Sequence, residues 1–174
     1  MNVFEYVIAA AVIVTVSHAA SAEEAVVQTP APVIHLQDNL DEADGLGWCL
    51  DTQGRGYAET LHAHSCKPRG GDVQFSFDSA KAEIRSVAFP DKCVVALPQD
   101  AHTEFGLADC DGNDPAQRFS YRAETLSLYD QGNPARCIAV GAASRSAGPY
   151  MSRDLVWADC RSPEPDLRRW IVRD

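Results

Sequence analysis

Residues 106–121 read Gly106-Leu-Ala-Asp-Cys-Asp-Gly-Asn-Asp-Pro-Ala-Gln-Arg-Phe-Ser-Tyr121: an alternating strand that ends at a cysteine, a polar turn, and a second alternating strand. Under a shift of 44 positions, the cysteines and aromatic residues in and around this segment coincide with those of other segments. The coinciding residues are Cys110 with Cys66, Phe119 with Phe75, and Cys93 with both Cys49 and Cys137. A period of this length is typical of repeat architectures, so the sequence predicts three copies of one supersecondary unit.

The third copy contains an insertion. The two cysteines of a unit are 17 positions apart in the first two copies and 23 apart in the third. We expect the six extra residues in a surface loop at Gly141–Tyr150, because insertions in such loops cost little free energy. The motif itself continues beyond the insertion, since Val156-Trp-Ala-Asp-Cys160 matches Gly106-Leu-Ala-Asp-Cys110 and Trp170 supplies the closing aromatic residue.

The predicted fold class is all-β, because each unit consists of short alternating segments separated by turns of Gly, Asp, Asn and Pro. The positions five and three before the second cysteine of each unit are apolar and should face the core. These residues are Leu61, Ala63, Phe105, Leu107, Leu155 and Trp157. The positions four and two before that cysteine should point outward, and they are His62, His64, Gly106, Ala108, Val156 and Ala158.

The number of strands also follows from the repeat. Strands are predicted at Glu83–Val87 and Thr125–Tyr129, after the closing aromatic residues of units one and two, whereas unit three ends at Asp174 without one. We expect Val33–Leu40 to take that place beside the C-terminal strand. The result is twelve strands in three four-stranded units, with few open edges.

The chain divides into three parts. Residues 1–22 have the pattern of a secretory signal, with an apolar run at Val7–Val16 and the small residues Ala20-Ser-Ala22 before Glu23. Residues 23–32 are expected to be a short linker. Residues 33–174 then form one domain, with repeats at about 44–87, 88–131 and 132–174.

Charge and cysteine content limit the partners and the compartment. The formal net charge is −10, or −9 without the signal, because Glu5 is its one charged residue. Such a surface repels phosphate backbones and anionic lipid heads, so we expect neither nucleic acid nor membrane insertion. An export signal followed by six cysteines indicates disulfides in a secreted or periplasmic protein. Of the fifteen pairings, the repeat favours Cys49–Cys66, Cys93–Cys110 and Cys137–Cys160.

From about Val33 to Asp174 the chain resembles the ricin-type β-trefoil lectin domains. The resemblance rests on the openings of the three units and on three signatures similar to Gln-x-Trp. These segments are Cys49-Leu-Asp51, Cys93-Val-Val95, Cys137-Ile-Ala139, Val73-Gln-Phe75, Gln117-Arg-Phe119 and Arg168-Arg-Trp170. Only Gln117 keeps the family's glutamine, and only Trp170 its tryptophan. The resemblance implies a pseudo-threefold β-trefoil in which Phe75, Phe119 and Trp170 are core residues and the glutamine ties a turn.

The resemblance also implies where a sugar would bind. In such lectins an acid lies two positions after the first cysteine, a platform lies just before the second, and a polar group precedes the Gln-x-Trp. In unit one these positions hold Asp51, then His62 and His64, then Asp72, and Tyr57 could supply the stacking plane. Units two and three have Val95 and Ala139 at the acid position. The sequence therefore predicts one carbohydrate site, in unit one.

Other interpretations of these residues remain open. Asp51 could cap the turn before Gly54, and His62 and His64 share a strand face, so either aspartate could join them at a metal site. We nevertheless expect no metal and no cofactor. The acidic residues around Cys110 lack the order of a calcium loop, and no Cys-x-x-Cys pair is present.

The predicted function is a secreted carbohydrate-binding protein with a weakly bound glycan partner. No hydrolase, zinc-protease or phosphate-loop motif is present, so we expect no enzyme activity. The alternative is a trefoil that binds another protein, as an accessory toxin subunit or an inhibitor.

Overall fold

The computed structural model describes residues 24–54, 56–98 and 104–174, so the predicted signal segment lies outside the described residues. Twelve strands and three short 3₁₀ turns, at Gly71–Val73, Pro115–Gln117 and Pro165–Leu167, make up its regular structure. The strands are β1 (Val33–Leu36), β2 (Trp48–Thr52), β3 (Leu61–Ser65), β4 (Phe75–Asp78), β5 (Glu83–Ser86), β6 (Lys92–Ala96), β7 (Phe105–Asp109), β8 (Phe119–Arg122), β9 (Ser127–Asp130), β10 (Asn133–Ala147), β11 (Tyr150–Asp159) and β12 (Trp170–Arg173). Within these ranges no helix has the length and apolar character needed to cross a membrane.

The strands form a β-trefoil of three four-stranded units, as the sequence predicts. Counted by strands, unit one is β1–β4, unit two is β5–β8 and unit three is β9–β12, so each unit starts one strand before the repeat bounds predicted from the sequence. In each unit the second and third strands form an antiparallel hairpin, and in units one and two the fourth strand pairs with the first strand of the next unit. β1 pairs antiparallel with β12, from Val33 opposite Arg173 to Leu36 opposite Trp170. This pairing joins the first and last strands in an eight-stranded sheet of order β12-β1-β2-β3-β11-β10-β9-β8, and β4 to β7 form a second, four-stranded sheet.

Equivalent turns have the same backbone geometry in units two and three. Ala82 and Leu126 are 44 positions apart, and both adopt the left-handed conformation, with φ of 58° and 53°. The carbonyl of Ala82 accepts the backbone N–H of Phe119 at 2.8 Å, and that of Leu126 accepts the N–H of Trp170 at 2.7 Å. The 44-residue period is therefore a structural equivalence and not only a similarity of sequence.

The core lies where the three units meet. Phe75, Phe119 and Trp170 are buried in one hydrophobic cluster with apolar residues from all three units, which confirms their predicted core role. The indole N–H of Trp170 donates to the carbonyl of Ile138 at 2.8 Å, so its polar atom is also satisfied.

Each unit is cross-linked by its own disulfide. The bonds are Cys49–Cys66, Cys93–Cys110 and Cys137–Cys160, and the pairing predicted from the repeat is confirmed. Gln117 also has the expected role, because its amide accepts from the N–H of Asp111 at 3.0 Å and donates to the carbonyl of Asp109 at 2.9 Å.

The insertion in unit three forms a strand extension, so the expectation of a loop at Gly141–Tyr150 was wrong. β10 and β11 continue as a ladder until Ala147 faces Tyr150, and the chain reverses at Gly148-Pro149, where Gly148 has φ of 69°. The ladder is irregular between Val140 and Ser144, and beyond that point Ser144 to Ala147 pair with Tyr150 to Arg153, so their backbone groups bond to each other instead of to solvent.

The extended hairpin packs on unit one. β11 pairs antiparallel with β3, with Ser152 opposite His64 and Arg153 opposite Ala63. Consequently His62 and His64, which the sequence places on an outward face, are each only 7% exposed. The face itself was predicted correctly, but the hairpin covers it.

Residues 24–32 lie against unit one and do not stand free as a linker. The N–H of Val26 donates to the carbonyl of Gly45 at 3.0 Å, and the hydroxyl of the buried Thr29 donates to the carbonyl of Lys67 at 3.0 Å. The apolar side chain of Val27 packs beside the Cys49–Cys66 disulfide.

Replacing Trp170 tests whether the core holds the three units together. We expect Trp170→Ala to lower the free energy of unfolding by about 3–5 kcal/mol, because it leaves a large cavity. Trp170→Phe keeps an aromatic ring and so should lose less packing energy. It also removes the indole donor to the carbonyl of Ile138, and this lost hydrogen bond should lower the free energy of unfolding by about 1–3 kcal/mol. Urea denaturation with the disulfides intact measures both. The exposed Val87→Ala is the control, and losses no larger than its own would contradict the proposed core.

Candidate functional site

A cleft of about 540 Å³ opens where unit one meets the tip of the extended hairpin. One wall comes from β3 and the segments on either side of it, and the other from the turn between β10 and β11. The residues that line it are Gly54, Gly56, His62, His64, Lys67, Asp72, Ala147, Gly148, Pro149 and Tyr150. Three of the five predicted site residues, His62, His64 and Asp72, therefore line one cleft.

Lys67, which the sequence analysis did not identify, lies at the centre of the polar groups. Its ammonium is 2.9 Å from Oδ2 of Asp51 and donates to Oδ2 of Asp72 at 2.8 Å. Burial alone would lower the pKa of Lys67, but the hydrogen bonds with Asp72 and Asp51 outweigh it and raise this pKa above its ordinary value. The lysine is thus held as a cation between two carboxylates.

Asp51 forms the floor of the cluster and does not face the open cleft. Its side chain is 1% exposed, and it projects from the middle of β2 opposite His62 on β3. One oxygen faces Lys67, and the other, Oδ1, has no hydrogen-bonding partner in the part of the chain that is described. The burial of Asp51 beneath Lys67 argues against the expectation that its carboxylate contacts a sugar directly.

The two histidines lie between Asp51 and the hairpin. Nδ1 of His64 donates to the carbonyl of Ser65 at 3.0 Å and lies 3.6 Å from Oδ2 of Asp51. In the neutral ring this leaves Nε2 of His64 as an acceptor. Nε2 of His62 is 3.8 Å from the same oxygen and has no hydrogen-bonding partner among the described residues.

A metal ion fits this cluster poorly. The ammonium of Lys67 already occupies the cationic position beside Asp51, and a second cation there would be repelled. The one group of three converging metal-ligand atoms in the described ranges is elsewhere, at Glu83, Cys93 and Cys110, and its two sulfurs are joined in a disulfide.

The aromatic residue at the cleft is Tyr150, to which the sequence analysis gave no role, and not Tyr57. Tyr57 is 44% exposed and does not line the cleft. Its ring packs edge-on against Phe89 at 5.3 Å and lies under the ammonium of Lys92. Tyr150, at the hairpin tip, lines the cleft and packs edge-on against His64 at 5.4 Å. The sequence signal that could have identified it was an aromatic residue at the end of the insertion.

The described residues of units two and three do not form an equivalent of the charged cluster in unit one. Val95 and Ala139 occupy the positions equivalent to Asp51, and they lie in β6 and β10. Opposite Val95 stands Gly106, where a side chain would collide with the carbonyl of Glu59 at 2.6 Å. At the positions equivalent to Asp51 and His62, units two and three therefore do not offer the carboxylate and histidine of unit one.

Comparison with known structures finds the same fold in several sugar-binding and toxin proteins. The C-half of an earthworm R-type lectin, solved with GalNAc, aligns with a TM-score of 0.58 and 14% identity, over 81% of this chain and 97% of that one. The β-trefoil lectin of a Vibrio vulnificus hemolysin, solved with N-acetyl-D-lactosamine, gives 0.53 and 15%, over 80% and 90%. The cytolethal distending toxin of Actinobacillus actinomycetemcomitans gives 0.56 and 15%, over 82% and 91%.

At the level of sequence, curated proteins give no significant match. The model of the ricin-type β-trefoil lectin domain, by contrast, matches residues 39–170, which cover most of the chain and all three repeats. This chain is a member of the ricin-type β-trefoil lectin domain family.

Proposed function

We propose that the protein binds carbohydrate through a single site, the cleft between unit one and the hairpin tip. The observation that carries this proposal is the group formed by Lys67, Asp72, His64 and Tyr150 around that cleft. A sugar-binding site needs hydrogen-bond donors and acceptors for the sugar hydroxyls, and an apolar surface for the face of the sugar ring. The cleft offers both within one cavity, as ligand sites do.

Each side chain has a definite role in this proposal. The carboxylate of Asp72 is 19% exposed and accepts hydrogen bonds from sugar hydroxyls. The ammonium of Lys67 has three donors, of which Asp51 and Asp72 engage two, so the third is directed to the ligand. Nε2 of His64 is a further acceptor, and the ring of Tyr150 packs against the apolar face of the sugar.

Asp51 acts through Lys67 in this arrangement. Since its carboxylate is buried, it positions the ammonium and balances its charge without touching the ligand. Such support of a ligand-binding group by a buried neighbour keeps the site in its binding geometry.

We further propose that the protein is exported. Three formed disulfides require an oxidising compartment, and the sequence of residues 1–22 has the pattern of a secretory signal. A single shallow site binds sugars weakly, so useful avidity depends on clustered glycans or on a linked partner.

Substitutions of the two tyrosines distinguish the cleft from the site that the sequence suggested. We expect Tyr150→Ala to weaken glycan binding at least tenfold, or about 1.4 kcal/mol, because the sugar ring loses the aromatic side chain against which it packs. Asp72→Asn should weaken it similarly by removing the charged acceptor. Tyr57→Ala, a matched change outside the cleft, should leave affinity unchanged. A glycan array that includes GalNAc and N-acetyl-D-lactosamine identifies a ligand, and calorimetry measures the variants.

Binding that Tyr57→Ala weakens while Tyr150→Ala and Asp72→Asn do not would place the site elsewhere. A silent array, together with a stoichiometric protein complex recovered from the producing cells, would favour the alternative of a protein-binding trefoil. The similarity to the Actinobacillus toxin is one reason to include that experiment.

The buried histidines link the stability of this site to pH. Burial is the largest influence on His64 and lowers its pKa, although the hydrogen bond to Ser65 and the charge of Asp51 act against it; Lys67 and His62 add to the lowering. Burial likewise lowers the pKa of His35, against the effects of its hydrogen bond to Leu36 and of Glu24. Both rings therefore favour the neutral form in the folded protein.

The free energy of unfolding should fall as the pH drops below about 6.5, the pKa of an unfolded histidine. The unfolded chain takes up protons first in that range, and the fall ends once the lower folded pKa values are passed. Chemical denaturation between pH 7.5 and 5 measures the slope. His64→Asn, which retains a donor for the Ser65 carbonyl, should reduce the slope, and His64→Asn with His35→Asn should nearly remove it. A stability that is constant or rises over this range would contradict the assignment.

A further inference from the structure

A second cleft, of about 810 Å³, lies in unit three and shares no residue with the candidate sugar site. Four arginines line it, Arg122, Arg161, Arg168 and Arg169, together with one carboxylate, Glu124. This excess of positive charge is unusual for a protein whose formal net charge is −10. We refer to it as the arginine cleft.

Unit two has an equivalent cleft with the opposite balance of charge. It measures about 510 Å³, and its charged lining consists of Glu83, Asp91, Asp109, Lys81 and Arg85. The two clefts correspond in backbone geometry as well. The N–H of Cys110 donates to the carbonyl of Asp91 at 3.0 Å, and the N–H of Cys160 donates to the carbonyl of Ala135 at 2.9 Å.

Two carboxylates of unit two are missing from unit three. The 44-residue shift places Ser127 where unit two has Glu83, and Ala135 where it has Asp91. In unit two, Glu83 accepts from Arg118 at 2.9 Å and from Arg85 at 2.6 Å. Unit two therefore neutralises its arginines internally, by a carboxylate that unit three does not have.

Arg168 is the arginine that this loss leaves without an ion pair in the described ranges, and its charge acts on Asp159 only from beyond contact distance. It follows Pro165 by three residues and donates its N–H to that proline's carbonyl, as Arg118 does to Pro115. Its guanidinium Nη2 donates to the carbonyl of Ser162 at 3.0 Å. Arg118 makes the comparable bond to the carbonyl of Asp111, but it also reaches Glu83, for which Arg168 has no counterpart.

The burial of Arg168 makes this difference significant. The residue is 8% exposed, and its Nε is buried without a hydrogen-bonding partner in the described ranges. An arginine keeps its charge at all ordinary pH values, so it cannot relieve the cost of burial by losing a proton. A buried charge of this kind is stabilised by an opposite charge that also accepts its hydrogen bond.

The other arginines of the cleft form only exposed ion pairs or a cation–π contact among the described residues. Arg169 is 3.8 Å from Asp166 and Arg161 is 3.4 Å from Asp159, and both pairs are exposed. Exposed pairs contribute little and exchange readily with other anions. Arg122 lies over the ring of Tyr129 at 4.6 Å.

We propose that the arginine cleft is an anion-binding site, which takes a single carboxylate or sulfate group. The planar guanidinium groups bind such oxyanions with paired hydrogen bonds. The ligand is small, because the formal net charge of −10 on the whole chain repels long polyanions such as nucleic acids. The bound oxyanion takes the place that the Glu83 carboxylate holds in unit two.

The test is a titration with sulfate, acetate and glucuronate at constant ionic strength, with glucose as the neutral comparison. Calorimetry and the arginine Nε–H resonances report binding. We expect saturable binding of at least one oxyanion, a shift of the Arg168 Nε–H resonance, and no effect of glucose. Glucuronate bound more tightly than acetate indicates an anion carried on a sugar, and equal affinities indicate the anionic group alone.

Ser127→Glu is the decisive variant, because it restores the carboxylate of unit two. It should lower oxyanion affinity at least tenfold. It should also raise the melting temperature, and that rise would show that the variant folds. Arg168→Gln should lower affinity to a similar extent. Ser79→Glu adds the same charge at an exposed turn and should change neither property. Absence of saturable binding, or affinity unchanged in Ser127→Glu and Arg168→Gln, would overturn the proposal.

Discussion

The pairing of β11 with β3 is the interaction on which the functional part of this structure depends. It joins unit three to unit one through Ser152 opposite His64 and Arg153 opposite Ala63. Side chains secure it at both ends: the hydroxyl of Ser65 accepts the N–H of Met151 at 3.1 Å, and Arg153 pairs with Asp41. A trefoil without the six extra residues would leave the histidine face of β3 open to solvent.

The closed face explains the electrostatics beneath it. Once covered, Asp51 is too deep to exist as a lone anion, and Lys67 supplies the compensating charge at 2.9 Å. The same burial keeps His64 neutral. Family position alone would assign Asp51 to the ligand, whereas its burial supports our proposal that Asp72 and Lys67 make that contact and that Asp51 supports them.

The repeat, the disulfides and the central aromatic residues could be predicted because each rests on a periodic pattern that the threefold core imposes. Phe75, Phe119 and Trp170 had to converge if the units were equivalent. The cleft could not be predicted in the same way, because it depends on where the units differ. Nothing in the spacing of Cys137 and Cys160 reveals that the insertion continues a ladder, that it reaches His64, or that it brings Tyr150 and not Tyr57 to the site. The same divergence places Ser127 in unit three where unit two has Glu83. As a result, the buried Nε of Arg168 has no hydrogen-bonding partner among the described residues.

The most direct test of the docked hairpin is an NMR measurement of cross-strand nuclear Overhauser contacts in the oxidised protein. The account predicts backbone contacts between Ser152 and His64 and between Arg153 and Ala63, as strong as those within the β2–β3 hairpin. If those contacts are absent while the contacts within β10–β11 and within β2–β3 are all observed, the hairpin does not cover unit one and the cleft described here does not form.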